Sequence, residues 1–433
     1  MGPGIIAANA DNDAGGILGY SQAGVQYGYK LLWILALSTI SLGVCQEMCA
    51  RMGTVTGKGL ADLIREEYGV KISIFAMAVL LIANFCTTVS EFAGIAASFE
   101  MFALPWIRFL VIPVTAFAVW FLITRGSYKR VEKVLLYASF IYLAYIGAAL
   151  LAHPVWPHVL LRTIWPGKLS WNTAYIFMIV NVVGTTITPW GQFYIQSSVR
   201  DKGIRPDQYR ITRLDVLFGA FFTNFIAFFI MVVCAKTLYP IYLANNNAVN
   251  TNDAGAIAIA LRPLAGQWAS ILFAVGLFNA SLFGAITVPV STAYAITESL
   301  GWESSLGRRA REAPLFTGVI ALLLALAAIL VLVLGNHPNA LGNLIILPNI
   351  VGGILLPIIL VLQQMLVNNR RLMGTHTNSR LFDVLSWSTI GVLTVLAFAV
   401  VLENVVPPVM NYAAGIHIIS PHLAHSINHL FGS

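Results

Sequence analysis

Residues 9–16 read NADNDAGG, two carboxylates and a glycine pair between the apolar flanks GPGIIAA (2–8) and ILGYSQAGVQYGYKLLWILAL (17–37). In hydrocarbon every backbone polar group must be paired within the protein. Unwound, polar chain is tolerated at that depth only where it lines a cavity or is buried. The stretch is therefore expected to break a membrane helix and to supply half of a binding site.

Composition sets the environment. Charged residues are 10% of 433 and hydrophobic residues 58%, and windows such as APLFTGVIALLLALAAILVLVLG (313–335) contain no charge. An uncharged apolar run of about eighteen residues spans the roughly 30 Å hydrocarbon core. Apolar segments recur at about 2–28 (interrupted), 30–50, 72–98, 104–124, 131–152, 172–198, 212–238, 266–298, 313–335, 341–367 and 382–403. The expectation is an all-α polytopic membrane protein with eleven helices.

With the amino terminus inside, the connections facing the cytoplasm hold nineteen of the 25 Lys and Arg, from Arg51 and Lys58 through Arg200 and Arg213 to Arg371 and Arg380. That asymmetry is the positive-inside signal of a plasma-membrane protein with its carboxyl terminus outside. The net charge of +7 thus reports topology, and no nucleic-acid partner is expected. Cys45, Cys49, Cys86 and Cys234 all fall within spans and read as small apolar packers, with neither a disulfide framework nor a zinc site. The first segment lacks a basic leader, so no cleavable signal peptide is expected and any cytoplasmic leader is short or missing.

A second interruption, GTTITPWGQ (184–192), lies in the sixth segment. The breaks are five helices apart, an odd number, so the broken helices run in opposite directions. Paired interruptions of this kind mark an inverted-repeat transporter with its site at the bilayer midplane between them. The chain then reads as one transmembrane domain, 1–433, with repeat one over about 2–152, repeat two over about 172–367, an extra helix at 382–403 and an outer tail at 404–433.

Other polar residues carry weaker signals. Glu91 in TTVSEFAG (87–94) is an ionisable group inside the third span, a functional candidate by default. Its structural alternative is a protonated carboxyl bonded between helices. Asn349 in LPNIVGG (347–353) either faces the cavity or bonds a neighbouring helix. Glu47 and Arg51 are spaced as an i, i+4 ion pair at the cytoplasmic edge, and GLADLIREEYG (59–69) reads as an amphipathic helix on the inner surface. His417, His422, His425 and His429 read as surface histidines of the tail rather than a metal collector.

The run GPGIIAANADNDAGGILGYSQAGVQYGYKLLWILAL (2–37), followed by ARMGTVTGKGLADLIRE (50–66), resembles the opening of the NRAMP family of divalent-metal transporters. The family's GPG start, DPGN motif, glycine-tyrosine-lysine-leucine-leucine-tryptophan stretch and threonine-glycine-lysine loop align there, without a gap from Gly2 to Trp33. The resemblance implies a LeuT-type inverted repeat, helices 1–5 and 6–10 with helices 1 and 6 broken, plus an eleventh helix. It places the metal between the breaks. On that alignment Asp13 is the metal-binding aspartate, Gly16 replaces the motif's asparagine, and Ala14 its proline. Ala10 and Thr185 fall where the family offers carbonyls, Thr188 replaces a methionine thioether, Trp190 a histidine, and Asn349 a helix-ten glutamine. Beyond an inserted residue at Gly191 or Gln192, Gln196 is a further transport-path candidate.

These departures share a direction. A thioether favours thiophilic transition metals, and Thr188 offers only a hydroxyl. Gly16 opens volume, and Asp11 adds a second carboxylate, in contact with the ion directly or through water. An oxygen-lined, doubly acidic, roomy pocket suits Mg²⁺, which binds through one or two carboxylates and keeps several waters. The resemblance is therefore to the NRAMP-related magnesium transporters, a divergent branch, with Mn²⁺ as the second candidate substrate. Trp190 and Thr88 stand where the family has groups of its proton route, so transport uncoupled from protons is expected. The alternatives are a proton-coupled Mn²⁺/Fe²⁺ symporter and a LeuT-type symporter of a small organic solute. Two aspartates at the first break would repel an anionic solute. No catalytic constellation is visible, so no enzyme activity is expected. Neither a resident cofactor nor an obligatory protein partner is expected; the partners are the transported ion and the bilayer.

Overall fold

The computed structural model describes residues 2–102, 105–125, 137, 139–167, 169, 172–244, 249–258, 266–302, 306, 312–335 and 339–415. The first segment folds as two helices, α1 (Pro3–Asp11) and α2 (Ala14–Tyr27). Then come α3 (Leu32–Thr56), α4 (Leu60–Glu100) and α5 (Arg108–Arg125). After a single 3₁₀ turn at Ser139–Tyr142 lie α6 (Leu143–Leu151) and α7 (Trp156–Ile164). The second broken segment is α8 (Thr173–Thr186) and α9 (Pro189–Asp201). It is followed by α10 (Tyr209–Thr237) and the short α11 (Tyr239–Ala244) and α12 (Ala254–Ala258). The chain closes with α13 (Ala269–Leu300), α14 (Pro314–Leu334), α15 (Ala340–Val367), α16 (Arg370–Met373) and α17 (Arg380–Gly415).

Among the described residues eight helical stretches are long and apolar enough to cross a bilayer, with Ala14–Thr56 taken as one. Dividing that stretch at the 3₁₀ turn Gly28–Leu31, and adding the bent pair Phe140–Leu151 with Trp156–Ile164 and the shorter apolar helix Arg108–Thr124, places a helix at each of the eleven expected segments. The protein is a multi-pass membrane protein.

The packing explains where the site lies. α4 occupies the centre, gripped by α13 and α15, while α10 packs along α1, α2 and α3. Small residues permit the closest crossings. A Cβ on Gly184 would run into the Asn349 carbonyl, and one on Gly94 into the Ser281 hydroxyl. Helices in lipid associate through such close backbone approach, because lipid tails are as apolar as the helix surface.

Three features refine the sequence reading. The stretch Leu60–Glu100 is two helices broken at Gly69, whose φ of 79° favours glycine, so the 59–69 helix and the third span are separate as expected but follow each other without a loop. Helix α7, nine residues long and too short to span a bilayer, lies between the expected spans at 131–152 and 172–198. It lies at 116° to the preceding helical segment, and Val159 is its buried anchor. The last helix runs on to Gly415, so residues 404–415 of the expected tail are helical. The apolar run ends near Glu403, yet backbone pairing does not stop where apolarity does. Residues 131–136 of the fifth span, Lys129, Arg308, and the tail histidines His417, His422, His425 and His429 lie outside the described residues.

Candidate metal site at the two helix breaks

Each break frees carbonyl oxygen for a sequence-level reason. In an unbroken helix the Ala14 N–H would bond the Ala10 carbonyl. Here Ala14 N–H is given to Glu91 Oε2 at 3.3 Å, and Asn12 and Asp13 leave helical geometry. At the other break Pro189 stands four residues after Thr185. Proline has no N–H, so the Thr185 carbonyl has no helical donor. Ala10 and Thr185, the two carbonyl candidates, are thus both released from helix bonding and both buried.

Asp13 is the N-cap of α2, and its Oδ1 accepts the Gly16 N–H at 2.6 Å. A carboxylate at a helix amino terminus is favoured by the unpaired N–H groups and the helix dipole. Thr188 is the equivalent N-cap of α9 but makes no cap bond. Its hydroxyl instead donates to Asp11 Oδ1 at 3.2 Å, while Gln46 Nε2 donates to Asp11 Oδ2 at 3.1 Å.

Gly16 leaves a small space bordered by oxygen. A Cβ built there would find Asp11 O at 3.2 Å, Asp13 Oδ1 at 3.3 Å and Thr185 Oγ1 at 3.4 Å. Thr185 Oγ1 is buried with no hydrogen-bond partner. A main-chain carbonyl, a carboxylate and an orphaned hydroxyl around one gap form a donor set for a hard cation. Electrostatics point the same way. Asp11, Asp13 and Glu91 are 2%, 3% and 0% exposed, and among the described residues none is ion-paired. To be ionised at that depth they need a counter-charge, which a bound cation would supply. Among the described residues no three His, Cys, Asp or Glu side chains converge as a preformed metal cluster, so an ion here must draw on carbonyls, hydroxyls and water as well.

The remaining candidates separate. Asn349 commits its amide nitrogen to neighbouring helices. Its Nδ2 donates to Gly15 O at 3.0 Å and Asn181 Oδ1 at 2.8 Å, tying α15 to α2 and α8. Glu91 reaches the first break through Ala14, with Oε1 unpartnered. Trp190 is wholly buried, edge-on to Tyr194 at 6.2 Å, and its carbonyl accepts from Ser291 Oγ at 2.7 Å. Thr88 bonds Asn84 O within its own helix at 2.8 Å. Gln196 is not brought to the breaks; its Nε2 donates to Lys58 O at 3.0 Å. Glu47 and Arg51 pair at 3.1 Å as their spacing requires, but buried, with Tyr209 also on Glu47.

Sequence reasoning missed Gln46 and Asn181. Each is a lone amide inside an apolar span, and that was the available signal. Beside Glu47 and Arg51, Gln46 was overlooked.

The family model described as natural resistance-associated macrophage protein-like (Nramp) matches residues 4–403. The chain is similar to the divalent metal cation transporter MntH of Deinococcus radiodurans, 26% identical over 400 residues, covering 89% of this chain and 86% of that one. It is also similar to the metal transporter Nramp3 of Oryza sativa, 26% identical over 401 residues, covering 89% and 70%. The Eremococcus coleocola manganese transporter superposes with a TM-score of 0.73 at 19% identity, covering 99% of this chain and 92% of that one. Mhp1, a nucleobase-cation-symport-1 transporter, superposes with a TM-score of 0.58 at 13% identity, covering 100% and 96%. Both superpositions bear on fold alone, and the fold is the expected LeuT-type arrangement.

Proposed function

The chain belongs to the NRAMP family of divalent-metal transporters, not a family of enzymes, and on that premise we propose that it imports Mg²⁺, partly hydrated and uncoupled from protons. The observation carrying the choice of metal is the gap at Gly16, bordered by three oxygens, with Thr188 presenting a hydroxyl to Asp11 rather than a sulfur to the ion. Mg²⁺ sheds water reluctantly and is held through one or two carboxylates. At the gap Asp13 supplies a carboxylate and Asp11 its main-chain carbonyl, with the Asp11 carboxylate as a second negative group close by. Glycine leaves room for retained water. Mn²⁺ fits the same oxygens less selectively.

Uncoupled transport is supported by Trp190 and Thr88, whose side chains do not titrate near neutral pH. An inward divalent flux then follows the membrane potential, about 2.3 kcal/mol per charge per 100 mV and roughly twice that for two charges. The distribution of Lys and Arg supports a plasma-membrane orientation with the amino terminus inside and the carboxyl terminus outside. A proton-coupled Mn²⁺ symporter is the second reading. It is favoured by the retention of Glu91 beside Ala14 and by the relatives named as MntH.

Proteoliposome uptake of Mg²⁺, Mn²⁺ and Ca²⁺ side by side, with internal pH followed, separates the readings. Mg²⁺ uptake driven by imposed potential without lumenal acidification is the expected result. Mn²⁺ uptake with stoichiometric acidification and no Mg²⁺ flux overturns the proposal.

A further inference from the structure

Asp11 and Asp13 sit two residues apart, yet the structure gives them different surroundings. Asp13 is bound to the amino terminus of its own following helix. Asp11 ends α1 and is held by side chains from two other elements, Gln46 of α3 and Thr188 of α9. Both of its oxygens receive neutral donors, and it remains a buried carboxylate without a cation.

Gln46 is itself fully buried, and its Oε1 has no hydrogen-bond partner. The orphaned oxygen belongs to the same amide whose Nε2 holds Asp11 Oδ2, and a rotation of that amide about its last bond would present it to an ion at the carboxylate. An unpaired buried amide oxygen is costly, about 1–3 kcal/mol, unless water or an ion satisfies it. A second small space adjoins this group at Gly191. A Cβ there would find Thr188 Oγ1 at 3.1 Å and Asp11 Oδ1 at 3.7 Å. Because Thr188 spends its proton on Asp11, its oxygen lone pairs stay available.

We propose that Asp11, Thr188 and Gln46 form a second cation position, distinct from the Asp13–Gly16–Thr185 gap, at which a hydrated hard divalent ion pauses before release. The inference rests on the transport reading above. In that orientation α9 runs inward from Thr188 and α1 runs inward from Asp11 towards its own start, so this position lies one step nearer the cytoplasm. Three oxygens, a carboxylate, a hydroxyl and an amide carbonyl, replace part of a water shell without requiring its complete loss. Two carboxylates in series let an ion pass from one counter-charge to the next instead of entering the inner vestibule uncompensated.

The test uses Mn²⁺ as a paramagnetic probe, titrated into the full-length protein in detergent and followed by electron paramagnetic resonance. Asp13→Asn is expected to keep a weakened Mn²⁺ site, and Asp13→Asn combined with Gln46→Leu to bind at least about tenfold more weakly still, the scale of losing a supporting ligand. Gln46→Glu in the Asp13→Asn background, which keeps the shape and adds charge, is expected to tighten binding, and it serves where the leucine variant does not fold. No bound Mn²⁺ in Asp13→Asn, or binding unchanged by both Gln46 substitutions, overturns the second position. Neither result touches the Mg²⁺ reading. That reading falls on wild-type flux alone, when Mn²⁺ is carried and Mg²⁺ is not, an outcome that leaves the Gln46 dependence intact.

Discussion

Asp13 Oδ1 lies 2.6 Å from the Gly16 N–H that it accepts, so the carboxylate that borders the metal gap also starts helix α2. Charge and cap can be separated experimentally. Asp13→Asn retains a capping side chain and loses the charge, whereas Asp13→Ala loses both. Uptake should be abolished in each. The alanine variant alone should lose stability, by about 1 kcal/mol, the usual cost of an N-cap. Normal Mg²⁺ flux through Asp13→Asn, measured in proteoliposomes beside a thermal melt, would show that the site lies elsewhere.

Selectivity should follow Thr188 and Gly16. Thr188→Met with Gly16→Asn introduces a thioether and fills the gap, so affinity for Mn²⁺ or Cd²⁺ should rise and Mg²⁺ transport should fall. The change will be partial. Three oxygens stand 3.2–3.4 Å from any Cβ at Gly16 and must give way, and Asp11 loses its bond from Thr188. Competition of Cd²⁺ against Mg²⁺ uptake reads the shift. A wild type that already carries Cd²⁺ and excludes Mg²⁺ contradicts it.

Proton movement should be absent. With Trp190 and Thr88 in the positions of titrating groups, the rate of metal entry should track imposed potential, and a lumenal pH dye should stay flat. Metal-dependent acidification with a fixed stoichiometry would restore the coupled reading.

Helix α1 should be held by Asp215. Its Oδ2 accepts the Gly4 N–H at 2.7 Å, and Gly4 and Gly219 bring α1 and α10 into backbone contact. A hydrogen bond to a charged group contributes about 1.5–3 kcal/mol. Asp215→Ala should therefore lower the melting temperature and speed hydrogen exchange in residues 3–11 more than in α13. Gly4→Val should be more damaging, because its side chain meets the backbone of Val216. Unchanged exchange in α1 after Asp215→Ala would remove this clamp.

Much of this was legible in the sequence because membranes simplify it. Hydrophobic length gave the spans, and the distribution of Lys and Arg gave the proposed orientation. NADNDAGG and GTTITPWGQ announced their breaks, since polar chain inside hydrocarbon has few other meanings. Pro189 alone implies a freed carbonyl at Thr185. The break at Gly69 was legible where the amphipathic helix ends, but the helix Trp156–Ile164 and the extension to Gly415 were not. They are set by local backbone geometry that hydropathy does not report.

Tertiary structure alone decided which oxygens meet. Asp11 lies near Thr188, 177 residues away, and Gln46 enters from a third helix that the sequence offers as ordinary lipid-spanning chain. Asn349 stands at the helix-ten position in sequence, and the fold shows where its amide nitrogen goes, to Gly15 O and Asn181 Oδ1. Glu91 was legible as a functional candidate or a carboxyl bonded between helices, but only its contact with Ala14 showed which backbone donor it takes from the first helix. A sequence lists the groups a fold can use, because composition and period act locally. Their pairing across helices depends on close packing at Gly184, Gly94 and Gly219, where the absence of a side chain determines which neighbours come within reach.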